Sequence, residues 1–345
     1  MDLTIPADHN DLAALARDIV TARVWSGSGH DPELWSELGK AGVLTAALPE
    51  SVGGSGLGLL GHCVALTEIG RALAPAPYLA SILLGAGTIA ASGTAEQRHR
   101  WAEPAARGDL LLAAAPDGAG LAARDAGGGW IVSGTWDAVP GAPWAEEFVI
   151  PAGGQVLVVP RSLARVEPQE LTDGVTAGRV TLEDVLVTPD RVLGGNDPAR
   201  WLTAAATVGV CAHQLGVCER AVEMTAEHAR TRIAFGRPIG TFQAVGQRLA
   251  DAWIDLEAIR LSLWQAAWLL SEGRPAEMEI STAKFWAADA GHRIAHTAVH
   301  IHGGIGIDVS YPLHRYFAAA KVNEFRLGTA TDHLLRIGTA LSHQP

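Results

Sequence analysis

From Ala229 to Gln243 the sequence reads ARTRIAFGRPIGTFQ. Arg230, Arg232 and Arg237 bring guanidinium groups, Phe235 an aromatic ring, and Gly236-Arg237-Pro238 a turn. A guanidinium is a planar fork of donors that matches phosphate oxygens. Gly236 lets the backbone approach something large, and Pro238 fixes the chain before the next helix. Phe235 can lie against a flat ring, and Gln243 follows at the opening of that helix. Together these are what the phosphates and base of a dinucleotide need. An ordinary interhelical turn with solvated arginines would use the same residue types, so the remaining chain has to decide between the two.

A second group is His292, His296 and His300, spaced four apart, with His302 just beyond. Histidines at i and i+4 share a helix face and can both reach one metal, and Asp289 lies close to that face. Packing is the competing role. The cysteines are Cys63, Cys211 and Cys218. The last two are two turns apart along one helix, too far for a disulfide. Buried thiols in a reducing, cytoplasmic setting are expected. LPESVGGSGLG (Leu48–Gly58) has three glycines of a dinucleotide fingerprint but no βαβ pattern before it, which disfavours a Rossmann reading.

At 345 residues, 48% hydrophobic and 18% charged, the chain is globular and long enough for two or three units. A formal net charge of −11 opposes nucleic-acid binding. The opening MDLTIPADHNDLAAL lacks the basic and apolar regions of a signal peptide. No apolar run suggests a membrane span. The eleven tryptophans are spread along the chain, as packing residues would be.

Three zones have different periods. Residues 1–109 read as helices: Leu12, Ala16 and Val20 repeat at helical spacing, Asp31-Pro32 starts a helix, and Thr94 is an N-cap. Residues 110–195 switch to short β-type runs with many turns: 110–116, 129–134, 147–151, 155–160 and 179–187. With no helices between them, they suggest a small antiparallel sandwich or barrel. Residues 196–345 are helical again. Long segments are expected at 202–231, 241–271 and 277–302, with a last helix near Ala330, making a four-helix bundle. The fold class is therefore α+β, with an N-terminal helical domain, a small β-domain and a C-terminal bundle.

In that order of zones, four stretches resemble the acyl-CoA dehydrogenase family: LPESVGGSGLG, RTRIAFGRPIGTFQAVGQRLADAW (Arg230–Trp253), HIHGGIGIDVSYPLHRY (His300–Tyr316) and RLGTATDHLLRIG (Arg326–Gly338). The resemblance covers nearly the whole chain. It implies FAD lying across a subunit interface, an acyl-CoA substrate and electron-transfer flavoprotein as acceptor. Arg232, Phe235 and Gln243 would meet the far end of FAD. His300 stands where the family has glutamine, Gly303 and Gly304 keep a close backbone approach, and Thr329 matches the threonine of the C-terminal Gly-Thr motif. The family carries no metal near these histidines, so packing and cofactor contacts are expected of them.

The departures are as informative. The family reaction needs a carboxylate base just before the Gly-Thr, and this chain has Leu327 there. The alternative place, early in the first bundle helix, falls near Ala206 and Thr207. Glu324 and Asp332 are close in sequence, but helical offset aims them elsewhere. In the β-domain, Ala113–Gly120 and Thr135–Ala142 lack the hydroxyl and amide groups expected to hold a flavin ring. The nucleotide-side contacts are kept while the ring cradle and base are lost. This pattern resembles the shorter, base-lacking subunit of α2β2 acyl-CoA dehydrogenases of steroid side-chain breakdown. Two other readings are a self-sufficient flavoenzyme with a displaced base and a cofactor-free assembly protein.

Overall fold

The computed structural model describes residues 6–22, 29–114, 116, 120–195 and 197–342. It forms two compact units. One is made of Ile5–Ala65 and Pro75–Gly209, the other chiefly of Leu66–Ala74 and Val210–Pro345.

The first unit opens with α1 (Ala7–Thr21), which buries Leu12, Ala16 and Val20. The next helix, α2 (Pro32–Lys40), starts at Asp31, whose carboxylate accepts from the backbone N–H of Glu33 and Leu34. Thr94 and Gln97 close a reciprocal capping box. The apolar run expected as an α-helix is a π-helix at Leu79–Ala86, and it leads into Gly87–Ser92. Beside it, the buried imidazole of His62 lies 3.0 Å from the Tyr78 hydroxyl. No charged group offsets the burial, so the imidazolium is pulled down to about 3.

Eight strands make two four-stranded sheets: β1 (Leu112–Ala114), β2 (Leu121–Asp125), β3 (Trp130–Pro140), β4 (Glu147–Ala152), β5 (Gln155–Pro160), β6 (Arg165–Glu170), β7 (Thr176–Val187) and β8 (Val192–Leu193). The orders are β1-β4-β5-β8 and β2-β3-β7-β6. Their shared core includes Val132, Trp136, Phe148, Ile150, Leu157, Val159 and Val180. The antiparallel expectation holds for every pair in these sheets but one. β1 runs parallel to β4, with Leu112 opposite Glu147, because the chain visits the other sheet as β2 and β3 before returning. β2 and β6 carry no apolar alternation to read; both are edge strands, and Pro168 sits in β6, where a missing donor is tolerated.

The second unit is built on α4 (Pro198–Thr231), α5 (Gln243–Ser271), α6 (Glu277–His302), α7 (Leu313–Phe325) and α8 (Ala330–Ser342). α3 (Gly58–Ala72) contributes its last turns, held close to α4 by two glycines. A Cβ on Gly70 would overlap the His213 carbonyl, and one on Gly216 the Thr67 carbonyl. Two expectations need correction. The sequence offered one short helix near Ala330, but α7 precedes it, hidden behind the Tyr311-Pro312 turn. The tryptophans were expected to be packing residues, and Trp253 on α5 departs from this. On α5 burial starts only at Ala252, and Trp253 and Ile254 are exposed. α4 is also long and apolar enough to cross a membrane, contrary to the reading from runs alone, yet 78% of its apolar window is buried inside the protein.

Candidate functional site

The Arg230–Gln243 stretch is a two-stranded hairpin. Ile233–Ala234 pairs antiparallel with Arg237–Pro238, and Phe235 and Gly236 are the two turn residues, at φ +52° and +78°. Positive φ at both central positions is the geometry of a tight hairpin turn, and glycine meets it without strain. Phe235 has a Cβ and does not. It is nonetheless held there with its ring 96% exposed, 6.2 Å from Phe242 and edge-on to it. A bulky aromatic kept strained and in water marks a contact surface.

The three arginines separate here. Arg230 is ion-paired with Glu227, and Arg237 lies 4.3 Å over the Phe242 ring. Arg232 makes no ion pair among the described residues and is exposed, so its guanidinium is available to an anion. Its backbone N–H donates to the His228 carbonyl at 2.8 Å. Gln243 is the first residue of α5 and is exposed.

Histidine 228 ties this hairpin to the end of α6. Its ring stacks on that of His302 at 4.3 Å. Nδ1–H of His302 donates to the Ala298 carbonyl at 2.8 Å, and the Tyr311 hydroxyl lies 3.2 Å from Nε2. The carbonyl contact fixes the proton on Nδ1, so the hydroxyl donates to Nε2. Burial lowers the imidazolium pKa, which keeps this neutral tautomer. The next residue, Gly303, takes φ +66° and ψ −145°, a region essentially closed to other residues. Gly303 and Gly304 are exposed, and a Cβ on either would meet nothing within 4 Å. The His228–His302 stack thus ties the base of the hairpin to the glycine stop of α6, and Arg232, Phe235, His300, Gly303 and Gly304 are all exposed. An open glycine backbone, an unpaired guanidinium and an exposed ring suit the phosphate and base end of a dinucleotide.

Thr329 does not join them. It caps α8, its N–H and hydroxyl donating to Asp332 at 2.7 and 2.8 Å. The preceding turn is gripped by Lys284, which is 18 residues before His302 on α6, about 27 Å along a straight helix. In this turn Leu327 stands at φ +62° and Gly328 at φ +104°.

Neither nearby acid is free for proton abstraction. Glu324 accepts from Lys321 at 2.6 Å and lies 3.2 Å from His292 Nδ1. Asp332 is occupied by the Thr329 cap, which holds its carboxyl below the usual range. Ala206 and Thr207 are buried, and the Thr207 hydroxyl donates to the Thr203 carbonyl. In β3, Trp136 is turned into the sheet core, Asp137 pairs with Arg179, and the Ala138 N–H is taken by Gln169. Thr135 faces outward, 3.4 Å from Thr181. The Ala113–Gly120 stretch lies partly outside the described residues.

In the histidine row His292 and His296 make ring contacts, while His300 stands exposed beyond them. His292 and His296 rings are 4.3 Å apart, and His296 meets Phe317 edge-on. Asp289 pairs with Arg293 instead of approaching His292. Among the described residues no three acids, histidines or cysteines could hold a metal ion. A groove of about 790 Å³ between α5 and α6 is lined by Arg248, Asp251, Asp255, His292, Arg293 and His296.

Family models for the acyl-CoA dehydrogenase N-terminal and C-terminal domains match residues 6–109 and 196–342. Acyl-CoA dehydrogenase FadE27 of Mycobacterium tuberculosis is 45% identical, covering all of both chains. This chain is a member of the acyl-CoA dehydrogenase family. These enzymes are flavoprotein oxidoreductases acting on CH–CH bonds. The dehydrogenase resembles two solved heteromeric relatives. A chain of the ChsE4–ChsE5 complex of M. tuberculosis superimposes with a TM-score of 0.96 at 42% identity, both chains fully covered. A chain of the Tcur3481–Tcur3483 steroid ACAD G363A variant gives 0.90 at 36% identity, covering 97% of this chain and 98% of that one.

Three residues that position the site were not singled out from sequence: His228, Lys284 and His333. Only Lys284, the single lysine of the Ala-rich α6, left a visible signal.

Proposed function

We propose that this chain is the subunit of a heteromeric acyl-CoA dehydrogenase that grips the nucleotide end of FAD while a related subunit holds its ring and supplies the base. The substrate is a CoA thioester, and the relatives favour a steroid side-chain acyl group. Electron-transfer flavoprotein is the acceptor. FAD, when bound, supplies the hydride acceptor for α,β-dehydrogenation. Everything this chain adds is binding: Arg232 meets phosphate oxygens, Phe235 lies against the base, and Gly303 and Gly304 admit the ligand to bare backbone.

The observation that carries this reading is Leu327. It stands where the family's base stands, in a well-held turn, and an alkyl side chain takes no proton. Glu324 and Asp332 are already engaged and do not replace it. Apolar surface supports an assembled state: Ile307 and Val309 near the glycine stop, and Leu334, Leu335 and Leu341 on α8, are all at least half exposed.

The test is to purify the chain alone and with its related subunit. The complex should carry bound FAD and bleach anaerobically with a CoA thioester. The lone chain should neither hold stoichiometric FAD nor bleach. A lone chain that is yellow and reduced by thioester refutes the proposal.

A further inference from the structure

α8 lies along α6 but buries little of itself there. Of its thirteen residues only His333 is buried, while Leu334, Leu335 and Leu341 face outward. Something other than an apolar stripe must set its direction.

The turn entering α8 is held at three carbonyls. Lys284, fully buried on α6, donates to the Glu324 carbonyl at 3.1 Å and to the Gly328 carbonyl at 2.9 Å. His333 Nε2–H donates to the Leu327 carbonyl at 3.0 Å. Glu324 is in the last turn of α7, so the ammonium also lies at the negative end of that helix, where a cation is favoured. The imidazole packs on Gly328, where a Cβ would come within 3.2 Å of Nε2, and its φ of +104° independently demands glycine. Burial lowers the pKa of both groups, that of His333 to about 4, so the neutral imidazole is the form that donates.

We infer that Lys284 and His333 are positioning residues: they lock the Glu324–Gly328 turn and through it fix the pose of α8, so that its leucines meet the related subunit. The turn has lost a base but kept its scaffold because α8 depends on it. The inference rests on the heteromer reading for the identity of what α8 meets, and not for the lock itself.

Buried ammonium and imidazole groups used only as filling would be replaced best by apolar side chains. Groups used as donors are replaced best by other donors, since an unmet buried carbonyl is costly. The experiment uses the co-purified complex with Lys284→Met, His333→Leu and His333→Gln, and reads amide exchange peptide by peptide. Lys284→Met and His333→Leu should accelerate exchange in 326–342 at least tenfold while 210–231 and 277–302 stay protected. His333→Gln, still able to donate, should stay within about threefold of wild type. Unchanged exchange in 326–342, loss of protection everywhere, or His333→Leu behaving no worse than His333→Gln overturns the lock. Lys284→Met failing to fold leaves the His333 pair to decide. The partner half is read separately, from the subunit dissociation constant. Leu335→Asp should raise it at least tenfold. If it does not, α8 does not meet the partner, and the exchange data still judge the lock.

Discussion

His302 stacks on His228 with ring centroids 4.3 Å apart and planes 21° from parallel, joining the end of α6 to the hairpin that follows α4. Such a stack needs at least one neutral ring, and His302 is neutral because Nδ1–H is given to Ala298 and Nε2 receives the Tyr311 hydroxyl. Tyr311→Phe should therefore cost about 1 kcal/mol of stability. His302→Leu should do more, unpinning the Gly303–Gly304 turn from the hairpin through the lost His228 stack and weakening FAD binding by the complex about tenfold, on the scale of a lost charge-assisted hydrogen bond. Thermal melts and FAD titration of the apo-complex measure both. Equal FAD affinity in His302→Leu would separate the hairpin from the glycine stop.

Phe235 and Arg232 should behave as ligand contacts and not as structure. A ring 96% exposed has little packing to lose, and alanine keeps the Cβ at this positive φ, so Phe235→Ala should leave the melting temperature of the lone chain unchanged. FAD affinity of the complex should nevertheless fall, since stacking on a base is worth about 1–3 kcal/mol. Arg232→Ala should weaken FAD comparably, and more so at low salt, where a phosphate contact is least screened. Arg230→Ala is the control: Arg230 is paired with Glu227, and its loss should change FAD affinity less than threefold.

The features legible in sequence were those written locally. Asp31-Pro32, the Thr94 N-cap and the 277–302 helix follow from caps and periodicity, which act within one or two turns. Arg232, Phe235 and the glycine pair could be singled out because an arginine, an aromatic and a diglycine in combination suggest a ligand, and the structure finds all four exposed. What could not be read was set by residues far apart in the chain. The parallel β1–β4 pairing depends on a detour through another sheet. The neutral tautomer of His302 depends on Tyr311, and the grip of Lys284 depends on a turn about forty residues on. The partition of three arginines into paired, stacked and free likewise needs Glu227 and Phe242 in place.

Glu324 is the acid most easily mistaken for a base. Because it is held between Lys321 and His292, Glu324→Gln should weaken that cluster by about 1 kcal/mol without altering the pH dependence of kcat in the complex. Leu327→Ala should likewise keep kcat within about threefold, since removing a group that moves no proton leaves the barrier alone. Steady-state rates from pH 5.5 to 9 test both. A displaced acid limb in Glu324→Gln would assign this chain a catalytic residue.

Acid sensitivity should originate in buried neutral histidines, with His62 the clearest. Its pKa is about 3 in the fold against 6.5 when exposed. Between those values the unfolded chain binds a proton that the folded chain refuses. Stability from this residue is therefore complete above pH 6.5 and is lost as pH falls toward 3, by about 1.4 kcal/mol per pH unit once well below 6.5. His333 and His213, both pulled down to about 4, add to the slope over pH 6.5 to 4. His62→Gln keeps a polar partner for the Tyr78 hydroxyl but cannot titrate. The variant should be less stable than wild type at pH 7.5, and the gap should narrow by roughly one proton's worth of slope as pH drops to 5. Urea melts at pH 7.5, 6.5, 5.5 and 5.0 give the slopes directly. Parallel curves for the variant and wild type would mean that His62 is charged in the fold, and the His62–Tyr78 pair would need a different account.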